Sequence, residues 1–254
     1  MLMNKKHIAP LFYQCKEIIL GSLLGDGSLK IYKPYQNARF SFRHAKKQED
    51  YFLWKVSKLK EISSNNCFWE QQKNGRDGWG YTKLRYQSQA LEALTELHKL
   101  THKGGKKKIR RKWLNQLTPL SLAVWWCDDG SLVGNTRKGV FCTDSFSLEE
   151  IKILRKYLRI VWDIETNLGT IKTKSGKNCY RLWITSTQQL KKFLQIILPE
   201  IPTENMLQKA TILYKDSQLQ ERWISEVEKL SPFSRSAIDK QVALKKSKWK
   251  AFRE

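Results

Sequence analysis

The tetrapeptide Asp-Gly-Ser-Leu occurs twice in this chain, and each copy directly follows an apolar stretch. The first copy occupies residues 26–29 after the stretch 18–25, and the second occupies 129–132 after the stretch 120–128. The copies lie about a hundred residues apart, which is the length of a small domain. The pattern predicts a duplicated fold in which each half ends a buried helix with one carboxylate, so that two acids meet at a shared site.

The segments around the two copies predict the same order of elements. Thr118 and Pro119 are suited to the N-cap and first position of the second apolar helix. Alternation of polar and aromatic residues over 39–43 predicts a strand, and Ser147 with Glu150 forms a capping-box sequence for a later helix. Turns are predicted at 74–78 and 174–178. Both halves follow the order α-β-β-α-β-β-α, which predicts an α+β fold of two pseudo-symmetric domains with antiparallel sheets.

The charge balance indicates a polyanionic partner. The chain has 47 Lys and Arg against 24 Asp and Glu, a formal net charge of +23, while its hydrophobic content of 41% indicates a folded protein. Such an excess of positive charge is tolerated most readily against a polyanion. The sequence lacks an apolar run of membrane-spanning length and a signal-peptide core. We therefore expect an intracellular protein, organellar or prokaryotic, with no secretion signal and no membrane partner.

Composition divides the chain into four parts. Residues 1–102 and 113–230 hold the two copies of the layout. Residues 103–112 contain seven basic residues and a Gly-Gly pair, which indicates a basic linker between the domains. Residues 231–254 form a basic C-terminal extension. This extension is either a helix packed on the body of the protein or a loosely ordered tail that touches phosphates.

An apolar helix that ends in Asp-Gly is a weak signal by itself, because both residue types commonly terminate helices. Two such helices, each opening an αββαββα unit in a strongly basic chain, resemble the single-chain form of the LAGLIDADG homing endonuclease family. The nine-residue motif falls on 19–27 and 122–130. The resemblance implies that the motif helices pack side by side and that each half presents a saddle-shaped sheet to DNA. Gly21 and Gly25 would then make room for bulkier partners, among them Val124 and Asp128.

The resemblance also implies the chemistry, which is hydrolysis of a phosphodiester with the help of Mg²⁺, or of Mn²⁺ or another divalent cation in its place. Asp26 and Asp129 would supply the carboxylate ligands, and the backbone carbonyls of Gly25 and Asp128 would add to them. Asp128 is the alternative acid in the second half, and Asp129 is preferred because it matches Asp26 in register. Against this stands a structural alternative, in which both acids only terminate helices.

Family members also place a lysine near each metal centre. The matching segments point to Lys107, within the run 106–108, and to Lys209; a solvated surface lysine is the alternative for each. His44 and Asp144 lie where the family often keeps polar residues around the catalytic water. Outward strand faces should contact DNA, through either bases or phosphates. The candidates are Lys30, Tyr32, Arg39, Arg43, Lys83, Arg85 and Gln87 in the first half, and Thr170, Lys172, Arg181 and Trp183 in the second.

Three functions compete. The favoured one is a monomeric, site-specific endonuclease that breaks both strands of a long DNA target, which should be non-palindromic because the two halves differ. The second is an intron maturase that binds RNA, or a DNA-binding protein without cleavage, on the same scaffold. The third, an intein-embedded nuclease, is disfavoured because the chain starts without a nucleophilic Cys or Ser and ends Phe-Arg-Glu.

Overall fold

The computed structural model describes residues 11–73, 81–133, 137–173 and 175–248, and within them it confirms the predicted order of elements in both halves. The first half consists of helix α1 (Tyr13–Leu24), strands β1 (Ser28–Ile31) and β2 (Ala38–Ala45), helix α2 (Glu49–Lys58), strands β3 (Phe68–Gln71) and β4 (Lys83–Gln87), and helix α3 (Glu92–Thr101). Its four strands form an antiparallel sheet in the order β1-β2-β4-β3.

After α3 come strands β5 (His102–Lys103) and β6 (Lys106–Lys107) and helix α4 (Arg111–Leu114). The second half then repeats the pattern with α5 (Pro119–Asp129), β7 (Gly130–Val133), β8 (Lys138–Phe141), α6 (Leu148–Trp162), β9 (Asn167–Lys172), β10 (Asn178–Ile184) and α7 (Thr187–Ile197). Its sheet has the equivalent order β7-β8-β10-β9. The chain continues through α8 (Leu207–Ala210), α9 (Ser217–Leu230) and α10 (Arg235–Lys248).

Local signals in the sequence explain where the second-half helices begin. The Thr118 hydroxyl accepts a hydrogen bond from the Ser121 amide at 3.3 Å, and Pro119 occupies the first turn of α5. Ser147 and Glu150 form the complete capping box at the start of α6. Each cap satisfies amide groups that a helix leaves without partners at its N-terminus.

The core of the molecule is continuous across the two halves. Helices α1 and α5 are buried along most of their length and belong to one hydrophobic cluster with residues of both sheets. In the sheets, Phe40 and Phe42 of β2 and Leu182 and Ile184 of β10 point into this core. Because side chains alternate along a strand, the intervening residues define an opposite, open face on each sheet.

The stretch 103–112, predicted as a linker, is ordered. Gly104 and Gly105 have positive φ angles of 57° and 71°, and they turn the chain between the paired strands β5 and β6. Two consecutive residues in the left-handed region suit a tight hairpin turn, for which glycine is preferred. The hairpin and α4 thus connect α3 to α5 as a defined structure.

The C-terminal extension is a helix packed on the body, as one of the two alternatives predicted. Helix α10 contacts α8 and α9, and Ile238 and Val242 are buried. Residues 249–254 of the extension, the predicted turn at 74–78 and Lys174 of the second turn lie outside the described residues. Within the described parts of the chain, every helix is too short or too polar to cross a lipid bilayer.

Candidate active site

The two motif helices, α1 and α5, lie against each other with unusually little space between their backbones. A Cβ atom on Gly21 would lie 2.3 Å from the Ser121 carbonyl oxygen, and one on Gly25 would lie 2.5 Å from the Cβ of Asp128. The Ser121 hydroxyl also donates a hydrogen bond to the Glu17 carbonyl at 2.9 Å. Only glycine permits this approach. The prediction that the glycines make room for bulkier residues of α5 is confirmed for Gly25, which faces Asp128, whereas Gly21 makes room for the backbone of Ser121.

This packing places the carboxyl groups of Asp26 and Asp129 in one electrostatic environment. Burial raises the pKa of Asp26 to about 6, and the negative charge of Asp128 adds to the rise. Burial likewise raises the pKa of Asp129 to about 7, with the carboxylates of Asp26 and Asp128 adding to it. Asp26 lies just beyond the C-terminus of α1 and Asp129 is the last residue of α5, and the backbone carries negative partial charge at both helix ends. The site therefore concentrates negative charge.

The Asp128 side chain extends from α5 to residues of the first half. Its carboxylate is fully buried and accepts hydrogen bonds from the Tyr51 hydroxyl at 2.8 Å and from the Lys55 ammonium at 3.1 Å to each oxygen. Lys55 is itself fully buried, on α2. A buried charge is tolerated when it is paired and hydrogen-bonded. The Asp128 side chain thus links the second motif helix to the first domain.

His44, near the end of β2, lies between two of the acids. Its Nδ1 is 3.5 Å from Asp26 Oδ2, and its Nε2 is 3.8 Å from Asp128 Oδ1. Burial, followed by the positive charge of Lys55, lowers the pKa of His44 to about 3. The imidazole is therefore neutral at physiological pH, and it contacts Asp26 without neutralising it.

The residues present fit a divalent cation at the Asp26–Asp129 end of the helices. Asp26, His44 and Asp128 offer ligand atoms within 4.8 Å of one another, but the Lys55 ammonium already contacts both Asp128 carboxylate oxygens. For Asp129, by contrast, the described residues provide no hydrogen bond or ion pair to the carboxylate, although the positive charges of Lys209 and Lys107 partly offset the rise of its pKa. Oxygen donors of this kind are the ligands that Mg²⁺ prefers. We therefore retain Asp26 and Asp129, rather than the Asp128 side chain, as the candidate carboxylate ligands.

One lysine lies at the end of each motif helix. The Lys107 ammonium donates to the Leu23 carbonyl at 2.6 Å, near the end of α1. The Lys209 ammonium donates to the Cys127 carbonyl at 2.6 Å and to the Asp128 carbonyl at 3.3 Å, at the end of α5. Burial lowers the pKa of Lys107. The structure thus places both predicted lysines beside the helix ends that carry Asp26 and Asp129.

The open face of the first sheet carries most of the predicted contact residues. Strand pairing aligns Lys30 with Arg39 and Arg43 with Arg85, so these four side chains share one face, and Gln87 follows on the same face opposite Ser41. Tyr32 is exposed just beyond β1. Lys83 also belongs to this face by register, but its side chain is only 1% exposed. The prediction that Lys83 is open to a ligand is therefore wrong for this conformation.

The second sheet departs further from the prediction. Arg181 and Trp183 share the open face, since they pair with Gly169 and Asn167 and a Cβ on Gly169 would lie 2.3 Å from Trp183 Nε1. Thr170 and Lys172 pair instead with residues 180 and 178. Because the faces alternate residue by residue, Thr170 and Lys172 lie on the opposite face from Arg181 and Trp183, contrary to the expectation of one shared surface.

Arg181 also has an acidic partner. Its guanidinium donates two hydrogen bonds to Asp144, at 2.8 Å and 2.7 Å. This side-chain pair raises the pKa of Arg181. Asp144 therefore holds an arginine on the sheet surface.

Sequence reasoning missed two members of the buried cluster, Tyr51 and Lys55. They lie one turn apart on α2, and both donate hydrogen bonds to the Asp128 carboxylate. Phe52, the residue after Tyr51, is also buried. The available signal was a lysine at a core-facing position of an amphipathic helix, where an apolar residue is the ordinary choice. That signal marks a buried charge but does not name its partner in the other half of the chain.

Comparison with known families identifies the scaffold. The model of the LAGLIDADG DNA endonuclease family matches residues 16–193, which is more than half of the chain. The chain belongs to the LAGLIDADG DNA endonuclease family. The matched region contains most of α1, all of α5 and both four-stranded sheets of this LAGLIDADG protein. The recognition made from the repeated motif and the αββαββα layout is thereby confirmed.

Curated relatives of this LAGLIDADG protein carry different names. Protein RecA of Mycobacterium gastri is 32% identical over 197 residues, covering 72% of this chain but 44% of that protein, so the chain spans less than half of the RecA relative's length. Cytochrome b mRNA maturase bI2 of Debaryomyces hansenii is 26% identical over 76% of this chain and 73% of that protein. DNA endonuclease I-ChuI of Chlamydomonas applanata is 26% identical over 73% of this chain and 89% of that protein.

A solved structure confirms the fold. The homing endonuclease I-WcaI bound to its DNA recognition sequence superposes with a TM-score of 0.69 at 22% identity, covering 84% of this chain and 96% of the other. Both the α+β class and the arrangement of helices with antiparallel sheets are shared with that structure.

Proposed function

We propose that this LAGLIDADG protein is a homing endonuclease that binds a long double-stranded DNA site and cuts both strands by divalent-metal-dependent hydrolysis. The observation that carries the proposal is the pair Asp26 and Asp129, which end two adjacent, pseudo-symmetric helices and have one lysine beside each helix end. Carboxylates repel phosphate, so a protein that only binds nucleic acid gains nothing by concentrating them here.

The residues of the chain divide the chemistry between them. Asp26 and Asp129 would hold divalent cations, with the carbonyls of Gly25 and Asp128 as further candidate oxygen ligands. A bound divalent ion would offset charge on the phosphate and lower the pKa of a coordinated water. Lys107 and Lys209 add positive charge where charge develops on the phosphate during hydrolysis. Because the two halves supply equivalent sets, each half acts on one strand.

The open sheet faces supply the DNA contacts. On the first sheet, Lys30, Arg39, Arg43 and Arg85 share the open face and contact phosphates and base edges. The relative I-ChuI is a DNA endonuclease, and the structural neighbour I-WcaI was solved on its DNA recognition sequence. Both names support DNA as the ligand of the equivalent surface in this chain.

The two faces are chemically unlike, and this supports a non-palindromic target. The second face presents Trp183, the exposed Lys138, and an arginine, Arg181, that is paired with Asp144. It therefore carries fewer basic side chains than the first face, which has Lys30, Arg39, Arg43 and Arg85. A palindromic site requires a reader with two-fold symmetry, which these faces lack.

The second candidate function is that of an intron maturase that binds RNA, and the relative bI2 is named an mRNA maturase. The carboxylate pair favours cleavage over binding alone. Both activities can share one scaffold, so the two functions are tested separately.

The proposal is tested with a randomised duplex library, incubated with the protein in Mg²⁺ and sequenced at the cut ends. We expect one long asymmetric site to be enriched. Asp26→Asn and Asp129→Asn should each abolish the double-strand break while retaining DNA binding, because Asn keeps the shape but removes the ligand charge. The matched control is Asp163→Asn, an exposed acid at the end of α6 whose left-handed backbone suits Asn equally well.

Cleavage by either active-site variant at the rate of the unmodified protein would refute the assigned site. Specific binding of intron RNA without any DNA cleavage, in Mg²⁺ or Mn²⁺, would replace the endonuclease proposal with the maturase alternative.

A further inference from the structure

The short helix that carries Lys209 cannot hold its own position. Helix α8 has four residues, Leu207–Ala210, and isolated helices of that length are unstable in water. Its placement must therefore come from tertiary contacts. This matters because the ammonium of Lys209 lies within hydrogen-bond distance of the carbonyls of Cys127 and Asp128, next to Asp129.

One set of contacts comes from α5 and the core. The Trp126 indole donates to the Lys209 carbonyl at 2.9 Å, and Leu207 and Ala210 are fully buried. These contacts fix one side of α8. They leave the carbonyls on the other side, at residues 208 and 211, in need of donors.

The second set of contacts comes from the C-terminal helix α10. The Lys245 ammonium donates to the Gln208 carbonyl at 2.5 Å and to the Thr211 carbonyl at 2.6 Å. Gln241, one turn earlier on α10, accepts a hydrogen bond from the side-chain amide of Gln208 at 2.7 Å. These three contacts thus involve the residue directly before Lys209 and the residue that follows the end of α8, two positions after Lys209.

The polar residues on the inner face of α10 are unusual for a packing helix. Ile238 and Val242 supply the apolar contact, but Gln241 is 2% exposed and Lys245 is 6% exposed on the same face. A buried lysine is costly unless its donors are satisfied. Burial lowers the pKa of Lys245 to about 7. Apolar side chains at both positions would be sufficient for packing. The buried polar pair therefore indicates a specific role in holding α8.

We propose that α10 is a positioning element for the active site. Lys245 holds the backbone carbonyls of residues 208 and 211, Gln241 holds the side chain of Gln208, and together they place the Lys209 ammonium at the end of α5. The inference rests on the proposed endonuclease function, in which Lys209 acts in the second-half centre. Both Lys209 and α10 lie beyond the residues 16–193 that match the family. Lys245 and Gln241 are positioning residues and do not contact substrate.

The proposal predicts an effect on one strand only. Lys107 is held differently, on the β5–β6 hairpin, where its ammonium reaches the Leu23 carbonyl of α1. Loss of the α10 contacts therefore displaces Lys209 and leaves the first-half centre intact. Misplacing a catalytic group by about 1 Å can cost on the order of a hundredfold in rate.

The test uses the full chain and the duplex target selected from the library, with a different fluorophore on each strand. Lys245→Met should slow cleavage of one strand by about 10- to 100-fold, and Lys209→Met should slow the same strand. The double variant should be no slower than Lys209→Met alone, since residues that act through one group are not additive. Lys240→Met, which removes an exposed lysine from the same helix, is the matched control and should cut both strands normally.

A second readout does not depend on cleavage. Amide hydrogen exchange over residues 206–212 should speed up by about tenfold in Lys245→Met and stay unchanged in Lys240→Met. If Lys245→Met fails to fold, Gln241→Leu is tested in its place, with strand-specific cleavage and amide exchange over residues 206–212 as the two measurements. Equal slowing of both strands, or unchanged exchange over 206–212 in a folded variant, overturns the inference. Absence of cleavage by the unmodified protein overturns the proposed endonuclease function instead, and the exchange result still decides whether α10 holds α8.

Discussion

The contact between α1 and α5 can be tested by alanine substitutions at two neighbouring positions, of which only one should destabilise the protein. Gly21 faces the Ser121 backbone, and Ser22 is fully buried with a hydroxyl that has no hydrogen-bond partner among the described residues. Both lie in the middle of α1, so helix propensity favours alanine at each. Gly21→Ala should destabilise the protein, and Ser22→Ala should leave it unchanged or stabilise it.

The magnitude follows from the distances at Gly21. The new Cβ would lie 2.3 Å from the Ser121 carbonyl oxygen and 2.9 Å from its Cα, about 1 Å closer than the separation at which such atoms attract. The obstructing atoms are backbone, so no side-chain rotation relieves the clash and the helices must separate. Overpacking costs about 1–3 kcal/mol, and we take the upper end, about 3 kcal/mol, because the obstructing atoms are backbone. The gain of about 1 kcal/mol in helix propensity offsets part of this cost. We expect a net loss of about 2 kcal/mol for Gly21→Ala.

The assay is urea-induced unfolding followed by circular dichroism, with the free energy taken from midpoints at constant slope. A loss of about 2 kcal/mol corresponds to a fall in Tm of roughly 4–8 °C for a protein of this size. The same variant should cut DNA more slowly, because separation of the helices moves Asp26 away from Asp129. If Gly21→Ala were as stable as Ser22→Ala, the two helix backbones would not be in contact at this position.

Three further predictions concern charge. Lys55→Met should cost about 3–5 kcal/mol in unfolding free energy, because it leaves the Asp128 carboxylate buried and unpaired. The raised pKa of Asp129, about 7 against 3.8, means that metal-free protein loses stability as the pH rises from 4 through 7. Asp129→Asn should therefore have a higher Tm than the unmodified protein at pH 8 without metal, and the gap should close near pH 4. Lys30→Ala should reduce the salt dependence of DNA affinity by about one counterion, whereas Lys172→Ala, on the opposite sheet face, should not; equal effects would contradict the strand register.

The order of elements could be predicted because its signals are local. A cap such as Thr118 with Pro119, or Ser147 with Glu150, specifies where a helix begins from residues within one turn. Alternation over 39–43 identified the buried and open faces of β2 because Phe40 and Phe42 are strongly apolar. The repeat of Asp-Gly-Ser-Leu then aligned the two halves.

Faces of the edge strand β9 could not be predicted in the same way. Its residues alternate weakly, and Leu168, Thr170 and Lys172 are all exposed although they share one face. An edge strand has a neighbour on one side only, so burial gives little periodic signal, and only pairing with β10 fixes its phase. Alternation correctly assigns Lys83 to the open face of β4, but it does not predict that the side chain is buried there.

The choice between Asp128 and Asp129 as the candidate metal ligand could be predicted only in part from the sequence. Adjacent acids at a helix end are equivalent by composition, and register with Asp26 was the argument for Asp129. The structure adds an independent reason, because a helix turns by about 100° per residue and therefore points the two side chains in different directions. Asp128 meets Lys55 and Tyr51 of the first domain, while Asp129 has a carboxylate without such a partner in the described chain. A carboxylate that already has an ammonium on both oxygens is a poor metal ligand. The structural argument for Asp129 over Asp128 as the candidate ligand therefore depends on a lysine more than seventy residues away along the chain, which no local pattern could have revealed.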